Sequence, residues 1–277
     1  MAMVRTLDEI TAATRRRILD AQQSWDRRHL EGLAEKHRPR GFRHRLQARS
    51  QTGPAVIAEL KKASPSRGLI RPDFDPRSLA IELEHAGAAA LSVLTNEEFF
   101  RGSLENLRCA SASTELPCLR KDFILDEMQV LEARAHKADA VLLIVAALSQ
   151  AELERLARRA GEYLLDVLCE VHNREEVQRA IDAGCNLIGV NNRDLQTFRV
   201  DLGTALRLAD LLPPEAVRVA ESGIHSGAEI ARLQDAGYQA VLIGESLMLE
   251  KSPGTALQAL LAEARSPGTV HREADRA

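Results

Sequence analysis

Acids, bases and small hydroxyl residues follow a short apolar segment near residue 55. The stretch AVIAELKKASPSRG, residues 55–68, begins with four apolar residues and continues with Glu59, Lys61 and Ser64. A carboxylate and an ammonium group at the end of a buried strand can exchange protons with a substrate. A single occurrence would fit an ordinary strand that ends in a solvated loop. Because the arrangement is repeated, it favours a functional site instead. The repeats are at residues 117–123, 167–173, 187–195, 217–223 and 240–246.

Two of these strand ends carry residues suited to acid–base chemistry. Lys121 follows the apolar segment PCLR, and Glu170 follows VLC. Burial lowers the pKa of a lysine and nearby carboxylates raise it, so Lys121 could be a general acid toward a carbonyl oxygen or a Schiff-base nucleophile. We expect the apolar neighbours of Glu170 to raise its pKa toward the range of a general base. Glu59 and Glu221 end their own segments similarly, and spacing alone does not decide which acid accepts a proton.

Apolar strand, loop, amphipathic helix and short turn alternate from residue 55 onward. The predicted strands are residues 55–59, 89–94, 117–120, 140–145, 164–170, 187–190, 217–220 and 240–244. The predicted helices are about 76–86, 103–112, 126–137, 149–160, 173–183, 201–211, 226–236 and 254–264. Gly87, Gly184 and Gly237 suit the left-handed position that ends a helix, and strands apolar on both faces are typical of a covered parallel sheet. About eight such pairs predict an α/β fold, a (β/α)8 TIM barrel.

In such a barrel, the groups that follow each strand meet at one rim. The expected rim residues are Glu59, Lys61, Lys121, Glu170, Asn191, Arg193, Glu221, Ser222 and Gly244. The last two loops, ESGIHSG and IGESLM, lie where barrels commonly bind phosphate with backbone N–H groups and a helix N-terminus. Gly223 and Gly244 would let the backbone approach an anion closely.

The composition argues against nucleic-acid and membrane proteins. Of the 277 residues, 45% are hydrophobic and 28% charged, which suffices for a large core. The net charge of −3 and the 3% aromatic content supply neither a basic surface nor stacking platforms. No apolar run reaches the roughly 18 residues of a membrane span. Four scattered cysteines and no cleavable signal predict a cytoplasmic protein with reduced thiols.

The two ends of the chain differ in texture from the barrel repeats. Residues 1–50 are predicted to form amphipathic helices, since acids interleave with the Arg and His residues and argue against a basic arm. Residues 266–277 are predicted to be a polar tail with a frayed end. The whole chain, 1–277, would form one domain. The histidines at 85, 136, 172 and 225 lack metal-ligand spacing, so no metal is expected.

Seven segments taken together resemble one family of barrel enzymes. In chain order they are AELKKASPSRG, LRKDFI, LLIV, CEVHN, GVNNRDL, VAESGI and LIGESLM. They are similar to the indole-3-glycerol phosphate synthases of tryptophan biosynthesis, from the N-terminal helices to about residue 250. The resemblance implies a lyase without metal or cofactor. Its reaction would convert 1-(2-carboxyphenylamino)-1-deoxyribulose 5-phosphate into indole-3-glycerol phosphate, CO2 and water.

The resemblance also implies roles for individual residues. Lys121 would be the general acid at the substrate carbonyl, Glu170 the general base in the final dehydration, and Lys61 a contact of the substrate carboxylate that assists proton transfer. Around the substrate would lie Glu59, Asn191 and Glu221 at its hydroxyls, Phe123 and Leu195 at its aryl ring, and Ser64, Arg193, Ser222, Gly223, Gly244 and Glu245 along the substrate and phosphate region. Because a carboxylate repels phosphate, we expect Glu245 to use its backbone N–H and to turn its side chain away. The N-terminal helices would lie over the barrel mouth and help to shield the substrate.

Two alternatives stay open on the sequence alone. One is another phosphosugar barrel, such as a ribose-phosphate isomerase, although its aspartate or cysteine acid–base pairs are not evident at the first and last strand ends. The other is a noncatalytic barrel that serves as a partner subunit. The expected partner of the chain itself is a small phosphorylated molecule, with no nucleic acid or membrane, and the expected assembly is a monomer or weak homodimer.

Overall fold

Eight parallel strands close into a barrel in the computed structural model, which describes residues 6–22 and 25–265. The strands are β1 (Ala55–Leu60), β2 (Ala63–Ser64), β3 (Gly68–Leu69), β4 (Ala90–Leu94), β5 (Cys118–Lys121), β6 (Ala140–Ile144), β7 (Asp166–Val171), β8 (Leu187–Asn191), β9 (Val217–Glu221) and β10 (Ala240–Ile243). The order around the barrel is β1-β10-β9-β8-β7-β6-β5-β4, and β1 closes it by pairing with β4. The two-residue strands β2 and β3 form a separate antiparallel ribbon.

Helices surround the barrel: three precede β1, and the others follow barrel strands. They are α1 (Leu7–Ala21), α2 (Arg27–Ala34), α3 (Phe42–Ser50), α4 (Pro76–His85), α5 (Glu97–Phe100), α6 (Leu104–Ser111), α7 (Glu127–Ala135), α8 (Gln150–Glu162), α9 (Arg174–Asp182), α10 (Gly203–Leu208), α11 (Gly227–Asp235), α12 (Glu245–Leu249) and α13 (Pro253–Arg265). Short 3-10 turns lie at Val145–Ala147 and Ala209–Leu211. Asp, Ser or Asn caps seven of the helices that follow barrel strands, and each cap side chain accepts a backbone N–H bond from the first turn. These caps fix where the loop after each strand must end.

The predicted barrel is confirmed, and each predicted strand and helix has a counterpart within about two residues. Gly87, Gly184 and Gly237 adopt left-handed backbone angles, as expected. The predicted start of a strand at residue 164 is wrong, because Leu164 has φ +60° and still belongs to the turn after α8. The ribbon of β2 and β3 and the short helices α5 and α12 were not predicted, since elements of two to five residues carry no readable periodicity.

Two apolar layers hold the fold together. One lies between the strands and the outer helices, and the other fills the barrel interior. Phe42 and Leu46 of α3 are fully buried in the interior layer, beside residues that begin strands, such as Ala55, Leu187 and Val217. The third N-terminal helix therefore closes the N-terminal end of the barrel.

The segment before α3 is fixed by one buried ion pair. Arg40 Nη2 lies 2.6 Å from Asp139 Oδ2, and the Asp139 carboxylate also accepts the backbone N–H of Cys118 at the start of β5. Burial of Asp139 opposes its charge, but the bonds from His37 and Arg40 outweigh this and hold its pKa below the usual value. Removing Arg40 would leave the buried carboxylate of Asp139 without this partner, which is energetically costly. The ion pair therefore ties the extension firmly to the barrel.

Two further features bear on the sequence expectations. No helix among residues 6–22 and 25–265 is long and apolar enough to cross a membrane. The four cysteines are free thiols, and Cys118 and Cys169 are buried. The predicted polar tail, 266–277, lies outside the described residues.

Replacing Leu46 by alanine should lower the free energy of unfolding by about 3 kcal/mol, because the change empties space in the barrel interior. Leu19→Ala is the matched control, since Leu19 of α1 is 63% exposed and its loss should cost less than about 0.5 kcal/mol. Urea denaturation followed by circular dichroism measures both values. Equal losses of unfolding free energy in the two variants would contradict the conclusion that α3 closes the N-terminal end of the barrel.

Candidate active site

A cavity of about 360 Å³ opens at the carboxyl ends of the barrel strands. Every residue that the sequence analysis assigned to a site lines it: Glu59, Lys61, Ser64, Lys121, Phe123, Glu170, Asn191, Arg193, Leu195, Glu221, Ser222, Gly223, Gly244 and Glu245. These residues belong to six barrel strands or to the loops that follow them. Barrel closure thus brings together positions almost 190 residues apart in the chain.

The Lys121 ammonium lies among three buried carboxylates. Its Nζ is 3.5 Å from Glu170 Oε2, 3.8 Å from Glu221 Oε2 and 4.0 Å from Glu59 Oε2. Lys61 places its own Nζ 2.6 Å from Glu59 Oε1. The three glutamates are 1–3% exposed, so their charges must be balanced by neighbouring groups rather than by water.

The carboxylates keep Lys121 protonated. Burial opposes its charge, but the nearby Glu170, Glu221 and Glu59 outweigh burial and raise the pKa of Lys121 above its usual value. Of the two roles left open by the sequence, a charged ammonium suits the general acid, since a Schiff-base nucleophile must be neutral. Burial likewise opposes the charge of Glu59, yet Lys61 and Lys121 hold its pKa below the usual range.

Glu170 and Glu221 have pKa values that move in opposite directions. Burial opposes the charge of Glu170, but Lys121, His172 and Asn191 outweigh it and lower the pKa of Glu170. The expectation that its apolar surroundings raise this pKa is therefore wrong. Burial and the neighbouring Glu170 instead raise the pKa of Glu221, which is the carboxyl that takes up a proton first.

Asn191 orients Glu170 from the neighbouring strand. Its Nδ2 donates to Glu170 Oε1 at 3.1 Å, while its Oδ1 accepts the backbone N–H of Arg193 at 3.0 Å. The amide is therefore fixed at both ends. Because β7 and β8 are paired in register, one side chain from each meets at the cavity wall.

Two glycines make room for the buried acids. A Cβ at Gly189 would overlap Glu221 Oε1, and a Cβ at Gly244 would lie 2.6 Å from Glu59 Oε1. Gly244 was expected to admit the backbone of a phosphate loop, and here its missing side chain leaves space for Glu59. A side chain at position 189 would displace the end of Glu221, and one at position 244 would meet the Cβ of Glu59 as well as its carboxylate.

The loops after β9 and β10 form one end of the cavity. Ser222 and Gly223 follow β9 with left-handed φ values of +66° and +75°. Glu245 and Ser246 begin α12, where the first backbone N–H groups lack helical partners. Arg193 and Arg67 lie at the same end and add positive charge.

The Glu245 side chain occupies this cationic end. Its Oε1 accepts from Arg67 Nε at 2.9 Å, and its Oε2 lies 3.9 Å from Arg193 Nη2. The expectation that the carboxylate turns away is wrong, because two guanidinium groups at the cavity attract it. Glu245 is therefore positioned to compete with any anion that binds these arginines.

Apolar residues form another part of the wall. The rings of Phe100 and Phe123 have centroids 6.4 Å apart, and Leu195 lies in the same cavity. Leu7 and Ile10 of α1 also line the cavity, so the N-terminal extension reaches the barrel mouth. This placement agrees with the expected position of the extension over the mouth.

Several lining residues were missed by sequence analysis. They are Arg67, Phe100, Leu142, Ile144, Val200 and Ser246, together with Leu7 and Ile10. Arg67 directly follows Ser66 in the first segment that was singled out, and Phe100 follows the second predicted strand, so strand-end position was a usable signal for both. The others are apolar or small and carry no local sign of a site.

His172 is a further residue that sequence analysis passed over. Its Nε2 lies 3.4 Å from Glu170 Oε1, and its Nδ1 lies 2.9 Å from Glu176 Oε2. The EVHN segment placed it two residues after Glu170, but only the structure shows that the ring turns back to that acid. Within the described part of the chain, no group of three or more His, Cys, Asp and Glu side chains is arranged to hold a metal ion.

Comparison with known protein families gives one consistent match. Residues 7–260 match the family model described as indole-3-glycerol phosphate synthase. A protein of that name from Koribacter versatilis is 58% identical over 259 residues, covering 94% of this chain and all of the relative. Another from Chlorobium luteolum is 50% identical, covering 81% of this chain and 85% of the relative.

Solved structures share the fold at low sequence identity. Thiamine phosphate pyrophosphorylase from Pyrococcus furiosus has a TM-score of 0.58 at 18% identity, over 79% of this chain and 98% of that one. Mandelate oxidase with (S)-2-phenylpropionate has a TM-score of 0.61 at 18% identity, over 77% of this chain and 72% of that one. These two enzymes have different activities, so their likeness concerns the barrel alone.

Replacing Glu245 by glutamine should increase the affinity for inorganic phosphate about tenfold, because it removes a negative charge that pairs with Arg67 and Arg193. Titration calorimetry at low ionic strength measures the affinity. Glu250→Gln is the matched control, since its exposed side chain lies five residues further along. Phosphate affinity that is the same in both variants would rule out competition by Glu245.

Proposed function

Because the chain belongs to the indole-3-glycerol phosphate synthase family and is a carboxy-lyase, we propose that Lys121 and Glu170 carry out the proton transfers of that reaction. The proposed substrate is 1-(2-carboxyphenylamino)-1-deoxyribulose 5-phosphate. The observation that carries the proposal is the Lys121 ammonium, held within 4.0 Å of three buried carboxylates at the cavity wall. The family match supports this reaction over the ribose-phosphate isomerase and the noncatalytic barrel.

The cavity offers a complementary place for each part of this substrate. Phe123 and Leu195 would contact the aryl ring, and Ser222, Gly223, Gly244 and Glu245 would surround the phosphate through backbone N–H groups. Arg193, with Arg67, would supply the positive charge that a phosphate dianion needs. Ser64, Asn191 and Glu221 would contact the linking chain and its hydroxyls. Lys61 and Lys121 would lie between these two ends, next to the carboxylate that is lost.

Ring closure is the step that needs an acid. The aryl carbon that bears the carboxylate attacks the carbonyl carbon, and Lys121 transfers a proton from Nζ to the carbonyl oxygen as its charge develops. The bond to the carboxylate then breaks, CO2 leaves, and the electron pair of that bond restores the aromatic ring. Lys61, held charged by Glu59, would bind the substrate carboxylate until this step and assist proton transfer.

Dehydration is the step that needs a base. The new hydroxyl leaves as water with a proton that Lys61 would supply, and Glu170 takes the proton that departs from the neighbouring ring carbon, which completes the indole. Glu170 is ionised in the resting site because Lys121 lowers its pKa. Once Lys121 has given up its proton, that positive charge is gone, so Glu170 becomes more basic at the point where a base is required. Proton donation by Lys121 would thus prepare Glu170 for the later proton abstraction.

Replacing Lys121 by methionine should reduce turnover by about 10² or more, because the developing alkoxide loses its proton donor. The appearance of indole fluorescence after mixing with the substrate measures turnover. Lys62→Met is the matched control, since Lys62 lies between β1 and β2 and is not among the residues that line the described cavity. Full activity in K121M would move the acid elsewhere, with Lys61 the next candidate. No turnover by the unmodified protein would overturn the proposed reaction.

Replacing Glu170 by glutamine should separate CO2 release from indole formation, because only the second step uses the base. In a single turnover of E170Q, CO2 should appear before indole fluorescence, and fluorescence should rise about 10²-fold more slowly than in the unmodified protein. Rapid mixing with a coupled CO2 assay follows both signals. If the two signals slow together, Glu170 acts at or before ring closure instead.

A further inference from the structure

The imidazole of His172 lies between two carboxylates. His172 Nδ1 is 2.9 Å from Glu176 Oε2, and His172 Nε2 is 3.4 Å from Glu170 Oε1. The side chain is 14% exposed, so the ring is largely shielded from water. It connects the first turn of α9 to the acid on β7.

Glu176 fixes the ring from the helix side. Its Oε2 accepts both the backbone N–H of His172, at 2.8 Å, and the ring Nδ1, while its Oε1 accepts from Asn173 Nδ2 at 2.7 Å. Asn173 in turn caps α9. The rotamer of His172 is therefore determined by groups that do not line the cavity.

A second copy of this local motif shows that helix capping does not require the ring contact. After β9, the backbone N–H of His225 donates to Glu229 Oε2 at 2.7 Å, and Ser226 caps α11. Within the described residues, the ring of His225 makes no ion pair with a carboxylate. The contact between the His172 ring and Glu170 is thus an addition to a common turn. Both β7 and β9 end in a cavity acid, but within the described residues only the ring that follows β7 pairs with that acid.

Both ring nitrogens face carboxylate oxygens, so the doubly protonated imidazolium satisfies the site best. A neutral imidazole carries one N–H and would turn a lone pair toward one of the two acids. Burial opposes the charge, but the carboxylates of Glu170 and Glu176 outweigh burial and raise the pKa of His172 to about 10. The other charged groups that act on the ring or its partner are Asp194 after β8, Glu221 on β9 and Lys121 on β5.

We propose that His172 is a positioning residue that holds Glu170 ionised and aims it at the substrate, an inference that rests on the proposed role of Glu170 as the base. His172 and Asn191 together engage Oε1 of Glu170. Oε2 accepts no hydrogen bond within the described residues and lies 3.5 Å from Lys121 Nζ, on the cavity side. One oxygen is therefore anchored, and the other is available to receive a proton.

The positive charge of His172 should shift the pKa of Glu170 in one direction, downward. A cation beside Glu170 lowers the pKa of that acid, so the carboxylate form persists to lower pH. Without the cation the pKa of Glu170 rises, and the acidic limb of the rate profile moves to higher pH. A residue that only supported the loop would change stability or the level of activity and leave the limb in place.

The test is the pH dependence of kcat for His172→Gln, with His85→Gln as control because His85 is an exposed residue at the end of α4. We expect the acidic limb of H172Q to move up by about one pH unit, with KM within about twofold of the unmodified protein. H85Q should keep the original limb. A limb at the original pH in H172Q overturns the proposal.

Two measurements keep the test independent of how well H172Q folds and of the proposed reaction. Glu176→Gln keeps the imidazolium beside Glu170 and removes a negative charge, so E176Q should not move the limb to higher pH. An upward shift equal to that of H172Q would assign the effect to lost loop structure and overturn the proposal. Ring 15N chemical shifts of the unmodified protein, assigned by comparison with H172Q, should show an imidazolium that persists above pH 8, without any substrate. A ring that titrates near its ordinary value overturns the proposal even if turnover is observed, whereas absent turnover with a persistent imidazolium would count against the proposed function alone.

Discussion

The burial of three carboxylates around one ammonium is the constraint on which the rest of the site depends. Glu59, Glu170 and Glu221 are almost completely shielded from water, and Lys121 lies within 4.0 Å of each. Such a cluster is stable only if its charges balance, so removing any one member changes the proton affinity of the others. Lys61 and His172 each add a positive charge at its edge, and burial beside Glu170 raises the pKa of Glu221. The same balance keeps Lys121 charged before reaction, as the proposed acid must be, and would make Glu170 a stronger base once Lys121 has given up its proton.

The parallel barrel supplies the geometry that this balance requires. Strand register places Asn191 beside Glu221 and Glu170 beside Ile144, so the functional side chains arrive at the mouth from adjacent strands. Space for their carboxylates comes from the missing side chains of Gly189 and Gly244. Strand ends are rigid compared with loops, which suits groups that must keep distances of 3–4 Å to one another. Charge and backbone position are therefore specified by the same few strands.

The sequence was sufficient to predict the barrel and the positions of the acids and lysines, because both follow from strand periodicity and from what stands at each strand end. The electrostatic states were not predictable in the same way. The pKa of Glu170 depends on how close Lys121 and His172 come to it, and these contacts join different strands. The same applies to Glu245, whose orientation is decided by Arg67, 178 residues earlier in the chain. His172 was overlooked for a related reason, since its local motif also occurs at His225, where the ring has a different environment.

The N-terminal extension connects the stable end of the barrel to the reactive end. Phe42 and Leu46 fill the interior where the strands begin, while Leu7 and Ile10 reach the cavity where they end. Between these points Arg17 of α1 lies 3.9 Å from Asp122, the residue after Lys121.

Asp122 is buried and bonded to several neighbouring side chains, and these bonds hold the backbone next to Lys121 in place. Its carboxylate accepts from Thr95 at 2.7 Å and Asn96 at 3.2 Å, and pairs with Arg120 at 3.2 Å. The residues on both sides of Lys121 are therefore bound to β4 and its following loop, in addition to the strand pairing. A flexible four-carbon side chain becomes a directed acid only if its Cα cannot move, and the surrounding carboxylates then decide where the ammonium rests. The precision of the proposed acid thus originates in the hydrogen bonds of Asp122 at the end of β5, to which Arg17 of the extension adds one more charge.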